Sequence, residues 1–187
     1  MLARIAAALV AALLVAACET TPDVGHSKSY AKDGISFDHP GNWSVTEDVS
    51  TAGVRYLFVE SPGSALLAAL IHTPPTDESV EDFAVGFRRR LIQAVDDRAL
   101  LEASKSSTPS EVGMPVRAVV MGAPRDGVEH ALAASALGEV VPHKFRAFKV
   151  ELRSATIFLV AQAASEDWTL VAPGFDLVLS SFEVEEP

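Results

Sequence analysis

The 187-residue chain is acidic, with 15 lysines and arginines against 25 aspartates and glutamates and a formal charge of −10 at neutral pH. This charge repels nucleic-acid phosphates and anionic lipid surfaces, so we expect no nucleic-acid partner. The single cysteine excludes an intrachain disulfide, and the length suits one domain with a substantial core.

The first residues have the layout of an export signal. Arg4 supplies one positive charge, residues 5–17 form an apolar run, and the run ends in Val15-Ala16-Ala17-Cys18. The run is shorter than the roughly 20 apolar residues that span a bilayer, and its small-residue end is typical of a cleavage site. These last four residues resemble the bacterial lipobox, in which a peptidase cuts before the cysteine and the thiol is acylated.

We therefore predict a lipoprotein signal peptide over residues 1–17 and lipidation, for example with palmitate, at Cys18. An ordinary cleaved signal peptide with an incidental cysteine and an uncleaved anchor helix are the alternatives. Glu19 follows the cysteine, and by analogy with known sorting rules the absence of aspartate there favours the outer over the inner membrane. Residues 18–29 are polar and aperiodic, which predicts a flexible tether into the periplasm, and residues 30–187 are predicted to form the globular domain.

The first part of the domain has the pattern of strands followed by a helix. Residues 34–40 and 43–46 alternate apolar and polar side chains around a Pro-Gly-Asn turn, which predicts two strands. Residues 54–60 predict a third strand, and the apolar run 65–71 predicts an interior one. Residues 76–95 then place apolar side chains at three-to-four spacing, which predicts an amphipathic helix.

The ends of this helix carry their own signals. Ser79 and the acidic residues after it fit a capping-box spacing and the positive end of the helix dipole. Arg88-Arg89-Arg90 is predicted near the other end, where cations are favoured. This triplet could grip an acidic partner, but a solvated helix end is the interpretation that its position favours.

The second part of the domain is less clearly punctuated. Residues 100–106 and 116–121 predict strands around a Pro/Gly turn region at 108–115, and residues 123–127 predict a loop. Residues 128–141 are ambiguous, because their many alanines favour a helix while a serine and a glycine weaken it.

The C-terminal part again alternates strand and helix signals. Residues 148–153 and 156–164 predict strands, the second apolar on both faces. Ser165 is predicted to cap a final helix, which Pro173-Gly174 should kink or split. Strands, a helix, strands and a terminal helix together predict an α+β fold with helices packed on an antiparallel sheet.

Several short segments resemble the PsbP-like superfamily. The opening Tyr30 with Gly34-Ile35-Ser36-Phe37-Asp38-His39-Pro40-Gly41-Asn42-Trp43-Ser44-Val45 resembles the family's aromatic residue, Gly-hydrophobic-x-Phe strand, proline and tryptophan. The closing Leu177-Val178-Leu179-Ser180-Ser181-Phe182-Glu183-Val184 resembles its final helix running into Ser-Phe. Between them, the helix after Pro74-Pro75 and the turn Gly113-Met114-Pro115 come in the expected order.

The resemblance covers nearly all of the predicted mature chain and implies an α/β/α sandwich with a central antiparallel sheet. The superfamily includes an extrinsic subunit of photosystem II, a Ran-GTPase-binding nuclear import factor and many bacterial lipoproteins, most of them acting by binding proteins. Neither named function transfers, because no partner-contacting residue can be matched and a fold does not carry a function. Pro173-Gly174 and residues 128–141 depart from the family pattern.

No chemistry-bearing motif is recognisable in the chain. Its histidines fall in no metal-binding spacing; they are His26, His39, His72, His130 and His143. Serine-nucleophile elbows and phosphate-binding glycine loops are also missing. Trp43 could stack on a ligand, although a core anchor is the preferred interpretation. We therefore predict no catalytic residue, no metal site and no cofactor, and leave the binding residues unknown.

These observations predict a lipid-anchored bacterial cell-envelope protein that is not an enzyme, with a protein-binding or assembly domain facing the periplasm. Its partners would be the membrane, through acylated Cys18, and an envelope protein of unknown identity. A periplasmic carrier of a small apolar ligand, held between sheet and helix, is the alternative, and an enzyme is the third hypothesis.

Overall fold

The computed structural model describes residues 20–94, 113–136 and 139–185. The export segment, Cys18 and the strand predicted at residues 100–106 lie outside these residues. None of the helices in the described part is long and apolar enough to cross a membrane.

The described strands and helices follow the predicted order of strands, a helix, further strands and a terminal helix. In chain order they are a 3-10 helix Val24–His26, β1 Lys28–Lys32, β2 Ile35–His39, β3 Ser44–Thr51, β4 Val54–Glu60, β5 Leu66–His72, α1 Val80–Ala94, β6 Met114–Val120, β7 Ala123–Ala136, β8 Glu139–Glu151, β9 Thr156–Ala164, α2 Trp168–Ser181 and β10 Glu183–Val184.

The strands form two antiparallel sheets. The large sheet has the order β3-β4-β5-β9-β8-β7-β6, and a small sheet has the order β1-β2-β10. The apolar strands β5 and β9 pair with each other near the centre of the large sheet, from Leu66↔Gln162 to His72↔Thr156. Every residue of β9 is buried, which explains why its sequence lacks a polar face.

Two hydrophobic cores lie on opposite faces of the large sheet. On one face Phe83 of α1 stacks on Phe158 of β9, with ring centroids 4.0 Å apart. On the other face α2 and the small sheet pack together, and Phe37 of β2 stacks on Phe182 with centroids 5.5 Å apart. The predicted α+β sandwich, with helices on both faces of an antiparallel sheet, is confirmed.

The start of α1 is capped as predicted. The Ser79 hydroxyl oxygen accepts a hydrogen bond from the Asp82 backbone N–H at 3.0 Å and lies 2.8 Å from the Asp82 carboxylate. The helix begins at Val80, four residues later than the periodicity suggests. No basic residue lies in the last described turn of the helix, which ends at Ala94. Arg88 to Arg90 precede that turn.

Two predictions for the second half of the domain are wrong or are resolved by the structure. The predicted loop 123–127 is the first part of strand β7, and the turn falls earlier, at Met121 and Gly122. The ambiguous segment 128–141 is not a helix. It continues β7 and enters β8, because the two strands pair with each other from Gly127↔Phe148 to Ala136↔Glu139.

The terminal helix α2 also differs from its prediction. It begins at Trp168, and its N-cap position is Asp167, which makes no side-chain capping hydrogen bond; Ser165 lies in the preceding turn. The helix is not split at Pro173 but runs through it to Ser181. Its buried side is held by aromatic packing, which offsets the backbone hydrogen bond that proline cannot donate.

Candidate functional site

The packed domain begins before the predicted boundary at residue 30. Pro22 is buried, the Asp23 N–H donates to the Asn42 side-chain oxygen at 2.8 Å, and the Gly41 N–H donates to the Asp23 carbonyl at 2.9 Å. The Asn42 amide in turn donates to the Thr21 carbonyl at 3.0 Å. The prediction of a flexible tether is therefore wrong for residues 20–29, because hydrogen bonds to the turn at Gly41 and Asn42 hold this segment on the domain.

Trp43 is the anchor beneath this N-terminal segment. Its side chain is 1% exposed and meets the Phe175 ring edge-on, with centroids 5.3 Å apart. An ideal Cβ on Gly174 would lie 2.6 Å from the Trp43 ring and 3.1 Å from Pro22. The missing side chain of Gly174 thus lets the Trp43 indole and the N-terminal segment pack against α2. Trp43 therefore belongs to the core and is not available to stack on a ligand.

Three of the histidines lie apart from one another in the fold. His26 is exposed and binds the Asp23 carboxylate at 3.0 Å. His39 is buried, and its Nδ1 donates to the Pro40 carbonyl at 3.0 Å. His72 is half-buried at the end of β5, where desolvation lowers its pKa. These positions fit turn and strand-end roles rather than a shared site.

The other two histidines belong to a buried polar cluster on the α1 face of the large sheet, which we define as His130, His143, Gln162 and Arg88. The strand register aligns His130 of β7 with Phe145 of β8 and Gln162 of β9, and His143 lies two residues from Phe145. These side chains therefore share one face. His130 stacks on Phe145 with ring centroids 5.5 Å apart, and burial followed by the nearby charge of Arg88 lowers the pKa of His130.

The polar cluster consists mainly of groups held in neutral form. His143 Nδ1 lies 3.1 Å from the Val141 carbonyl, so that nitrogen carries the proton and Nε2 is an acceptor. Burial is the main cause that lowers the pKa of His143. Within the described part of the chain, His143 Nε2, Gln162 Oε1 and Arg88 Nε have no hydrogen-bond partner. No nucleophile–base pair is formed there, so the cluster lacks the geometry of a catalytic dyad.

A second polar centre, formed by Asp48, Arg55, Lys32 and Tyr30, joins the two sheets; we call it the Asp48 clamp. The Asp48 carboxylate accepts from Arg55 Nε at 2.7 Å, from Lys32 Nζ at 2.8 Å and from the Tyr30 hydroxyl at 2.6 Å. Arg55 also donates to the Lys32 and Asp33 carbonyls. The Arg55 guanidinium is the main cause that holds the pKa of Asp48 well below its usual range. With its lone pairs occupied, this carboxylate is a structural tie.

A third polar group lies near the start of α2. Glu129 of β7 accepts from Arg146 Nε of β8 at 2.7 Å. Arg146 and Lys144 both sit over the Trp168 ring, 4.7 and 4.8 Å from its centroid. Stacked cations beside a buried carboxylate hold the first turn of α2 on the sheet.

Two shallow depressions lie at the small sheet. One, of about 300 Å³, is lined by residues that include Ser29, Asp38 and Ser181. The other, of about 290 Å³, lies beside Gly122 and Glu183. Both lie at the lower limit of typical ligand-pocket volumes. Across residues 20–94, 113–136 and 139–185, no group of three or more His, Cys, Asp or Glu side chains is placed to hold a metal ion.

The outer strand β6 is the most apolar exposed edge of the large sheet. Met114 and Val119 have 60% and 49% of their surface exposed. β6 ends the strand order, and among the described residues it pairs only with β7. An open sheet edge with exposed apolar side chains is a surface on which another chain can add a strand. The sequence marked these residues only as strand and turn.

Of the residues singled out in the sequence, Cys18 lies outside the described part, so its lipidation stays a prediction. The arginine triplet lies on α1, with Arg88 half-buried and Arg89 and Arg90 exposed. The buried polar cluster and the Asp48 clamp were missed, because their members are far apart in sequence and only the strand register brings them together.

Comparisons with known proteins find solved structures similar to this chain but no match to its sequence among family models or curated proteins. Cyanobacterial PsbP (CyanoP) from Synechocystis sp. PCC 6803 is 20% identical, with 86% of this chain and 92% of that chain covered and a TM-score of 0.45. LpqN, involved in cell envelope biogenesis of Mycobacterium tuberculosis, is 11% identical, with 86% and 91% covered and a TM-score of 0.44.

A protein of Bacteroides thetaiotaomicron VPI-5482 is 10% identical, with 85% of this chain and 48% of that chain covered and a TM-score of 0.46. The α+β sandwich rests on the arrangement of the strands and helices described above.

Proposed function

We propose that this chain is a lipid-anchored cell-envelope protein whose domain acts by binding a protein partner and not by catalysis. The observation that carries the proposal is the N-terminal layout. An export segment ends at Cys18, and the packed domain follows within four residues, at Pro22. Acylation there would hold the domain at a membrane surface, with the outer membrane favoured by Glu19.

The edge strand β6 is the surface that we assign to the partner. Met114 and Val119 are exposed beside a row of backbone groups that no other described strand uses. Backbone pairing would supply affinity, and the exposed side chains would supply selectivity. The apolar-ligand carrier remains the alternative, but no described feature favours it, because aromatic rings already fill the space between α1 and the sheet at centroid separations as short as 4.0 Å.

The anchor is tested by replacing the acylated residue. Cys18→Ser should abolish incorporation of labelled palmitate and move the protein out of the membrane fraction or leave its precursor uncut. Thr21→Ser is the matched control, since it changes a hydroxyl residue near the site and keeps the cysteine. Membrane fractionation that is identical in Cys18→Ser and in the unaltered protein would refute the anchor.

The partner surface is tested by photocrosslinking in the native envelope. A photoreactive residue at Val119 should capture one defined protein, whereas the same residue at Val49, 41% exposed on β3 at the opposite edge of the sheet, should not. Charge introduced by Met114→Asp should then weaken the Val119 crosslink. Equal capture at both positions would contradict a partner on β6.

A further inference from the structure

The chain leaves the domain almost at the proposed anchor. Thr20 and Thr21 are already tied to the Asn42 side chain, at 3.4 Å through the Thr20 hydroxyl and at 3.0 Å through the Thr21 carbonyl. Only Glu19 separates Thr20 from Cys18. Since an extended chain advances at most about 3.6 Å per residue, the Cys18 Cα lies within about 7 Å of the Thr20 Cα.

This reach is comparable to the depth of one lipid headgroup layer, about 5–7 Å. A lipid on Cys18 would therefore keep the domain too close to the bilayer to rotate freely relative to it. We propose that the domain sits against the bilayer in one orientation, with the surface around the chain exit facing the lipid headgroups. The inference rests on the proposed lipid anchor and adds to it which face of the domain touches the membrane.

The exit surface is defined by Thr20, Thr21, Val24, Asn42 and Leu170. Val24 is 44% exposed on the 3-10 helix, and Leu170 is 38% exposed on α2. The 3-10 helix contacts α2, and Leu170 lies one helical turn before Gly174, where Pro22 packs. Exposed apolar side chains therefore border the point where the chain leaves the domain.

The segments that form the exit surface carry few charges of their own. Residues 20–28, 40–43 and 168–175 contain one carboxylate, on Asp23, and one lysine, Lys28. Both charges are engaged locally, since Asp23 binds His26 at 3.0 Å and the Lys28 ammonium donates to the Gly41 carbonyl at 2.5 Å. Glu19 and the pair Glu166-Asp167 border these segments, so the short chain and the exposed apolar side chains, rather than charge, carry the proposed orientation.

The test uses the lipidated full-length protein reconstituted in phosphatidylethanolamine–phosphatidylglycerol vesicles that contain a headgroup-spin-labelled lipid. Because acylation blocks the native thiol, Val24→Cys and Val85→Cys each provide one site for a fluorophore. The two valines are similarly exposed, but α1 and α2 lie on opposite faces of the sheet, about 20 Å apart by the usual layer spacing. We expect quenching to be several-fold stronger at position 24.

A third variant separates orientation from anchoring. Inserting about twelve Gly/Ser residues between Glu19 and Thr20 adds a coil with an end-to-end distance of roughly 20 Å. The protein should still float with the vesicles, while the quenching at position 24 falls to the level at position 85. Equal quenching at the two positions without the insert, in protein that floats, would overturn the orientation alone. Failure of the unaltered protein to float would refute the lipid anchor itself.

Discussion

Two glycines inside helices, Gly174 of α2 and Gly86 of α1, provide a paired test of the packing around the N-terminal segment. An ideal Cβ on Gly174 lies 2.6 and 2.9 Å from two carbon atoms of the Trp43 ring, about 1 Å closer than a relaxed carbon–carbon contact. Trp43 is 1% exposed and packs edge-on against Phe175, so it has little room to move aside. A Cβ on Gly86 meets only Arg90 Nη2, at 3.9 Å.

The magnitudes follow from two opposing effects. Alanine in place of glycine inside a helix stabilises by about 1 kcal/mol in either position. Overpacking of a buried contact costs about 1–3 kcal/mol. Gly86→Ala should therefore raise the free energy of unfolding by up to about 1 kcal/mol, while Gly174→Ala lowers it by up to about 2 kcal/mol. Because the helix-propensity contribution is common to both, the difference between the variants measures the overpacking alone.

The assay is urea unfolding of both variants, followed by circular dichroism and by tryptophan fluorescence. At about 2–4 °C per kcal/mol for a domain of this size, thermal midpoints should separate the variants by several degrees. A double-mutant cycle with Trp43→Phe sharpens the assignment, because phenylalanine lacks the two ring atoms that Gly174→Ala would strike. Equal stability of the two alanine variants, or a cycle with no coupling between positions 43 and 174, would refute the reasoning.

Three further predictions concern polar groups. The Asp48 carboxylate contributes stability above its unfolded pKa of about 3.8, and this stability is lost as the pH falls toward the lower folded pKa. Asp48→Asn should therefore lower the free energy of unfolding by about 1–3 kcal/mol at pH 7 and make that free energy, measured by urea titration, fall less steeply with acid. An unchanged dependence on pH would contradict the clamp. Burial lowers the pKa of His143, so protonation favours the unfolded chain below about pH 6.5. His143→Gln should therefore flatten the loss of stability between pH 7 and 5, and a slope equal to that of the unaltered protein would argue against it. Ser79→Ala should lower the free energy of unfolding by about 0.5–2 kcal/mol in thermal melts, and an unchanged midpoint would show that the cap is dispensable.

The strands and first helix were predictable because their local signals agree with their tertiary surroundings. Residues 54–60 and 156–164 form strands with the predicted limits, and both carry unbroken apolar or alternating patterns. The predicted helix begins too early because the polar residues 76–79 before Val80 have no periodicity that would separate them from the helix.

The failures lie where neighbours override local preference. Residues 123–127 contain Pro124 and Gly127 and read as a loop, yet they extend an edge-proximal strand. Gly127 is required by its neighbour, since a Cβ there would clash with the Ala147 carbonyl and lie 2.5 Å from the Phe148 ring. The alanines after it favour a helix in isolation, and pairing with β8 decides against one.

The candidate site was harder to foresee than the fold. Cys18 is recognisable because its motif is contiguous in the sequence. The Asp48 clamp, in contrast, is formed by strands β1, β3 and β4, and the buried polar cluster is formed by three strands and a helix. Pro22 carried no signal at all, because its burial depends on the missing side chain of Gly174 on a helix some 150 residues away in sequence. Such groupings follow from register and helix placement, which composition and periodicity do not specify.

The small sheet sets an order of events in the making of this protein. Strand β2 lies between β1 and β10, and its pairs Ile35↔Val184 and Ser36↔Glu183 bring together opposite ends of the domain. The Asp38 N–H also donates to the Ser181 hydroxyl across 143 residues of sequence. Because ribosomes and export channels release a chain from its N-terminus, β2 can gain its second partner only after β10 has been made and released. The small sheet is therefore completed only after the other described strands have emerged.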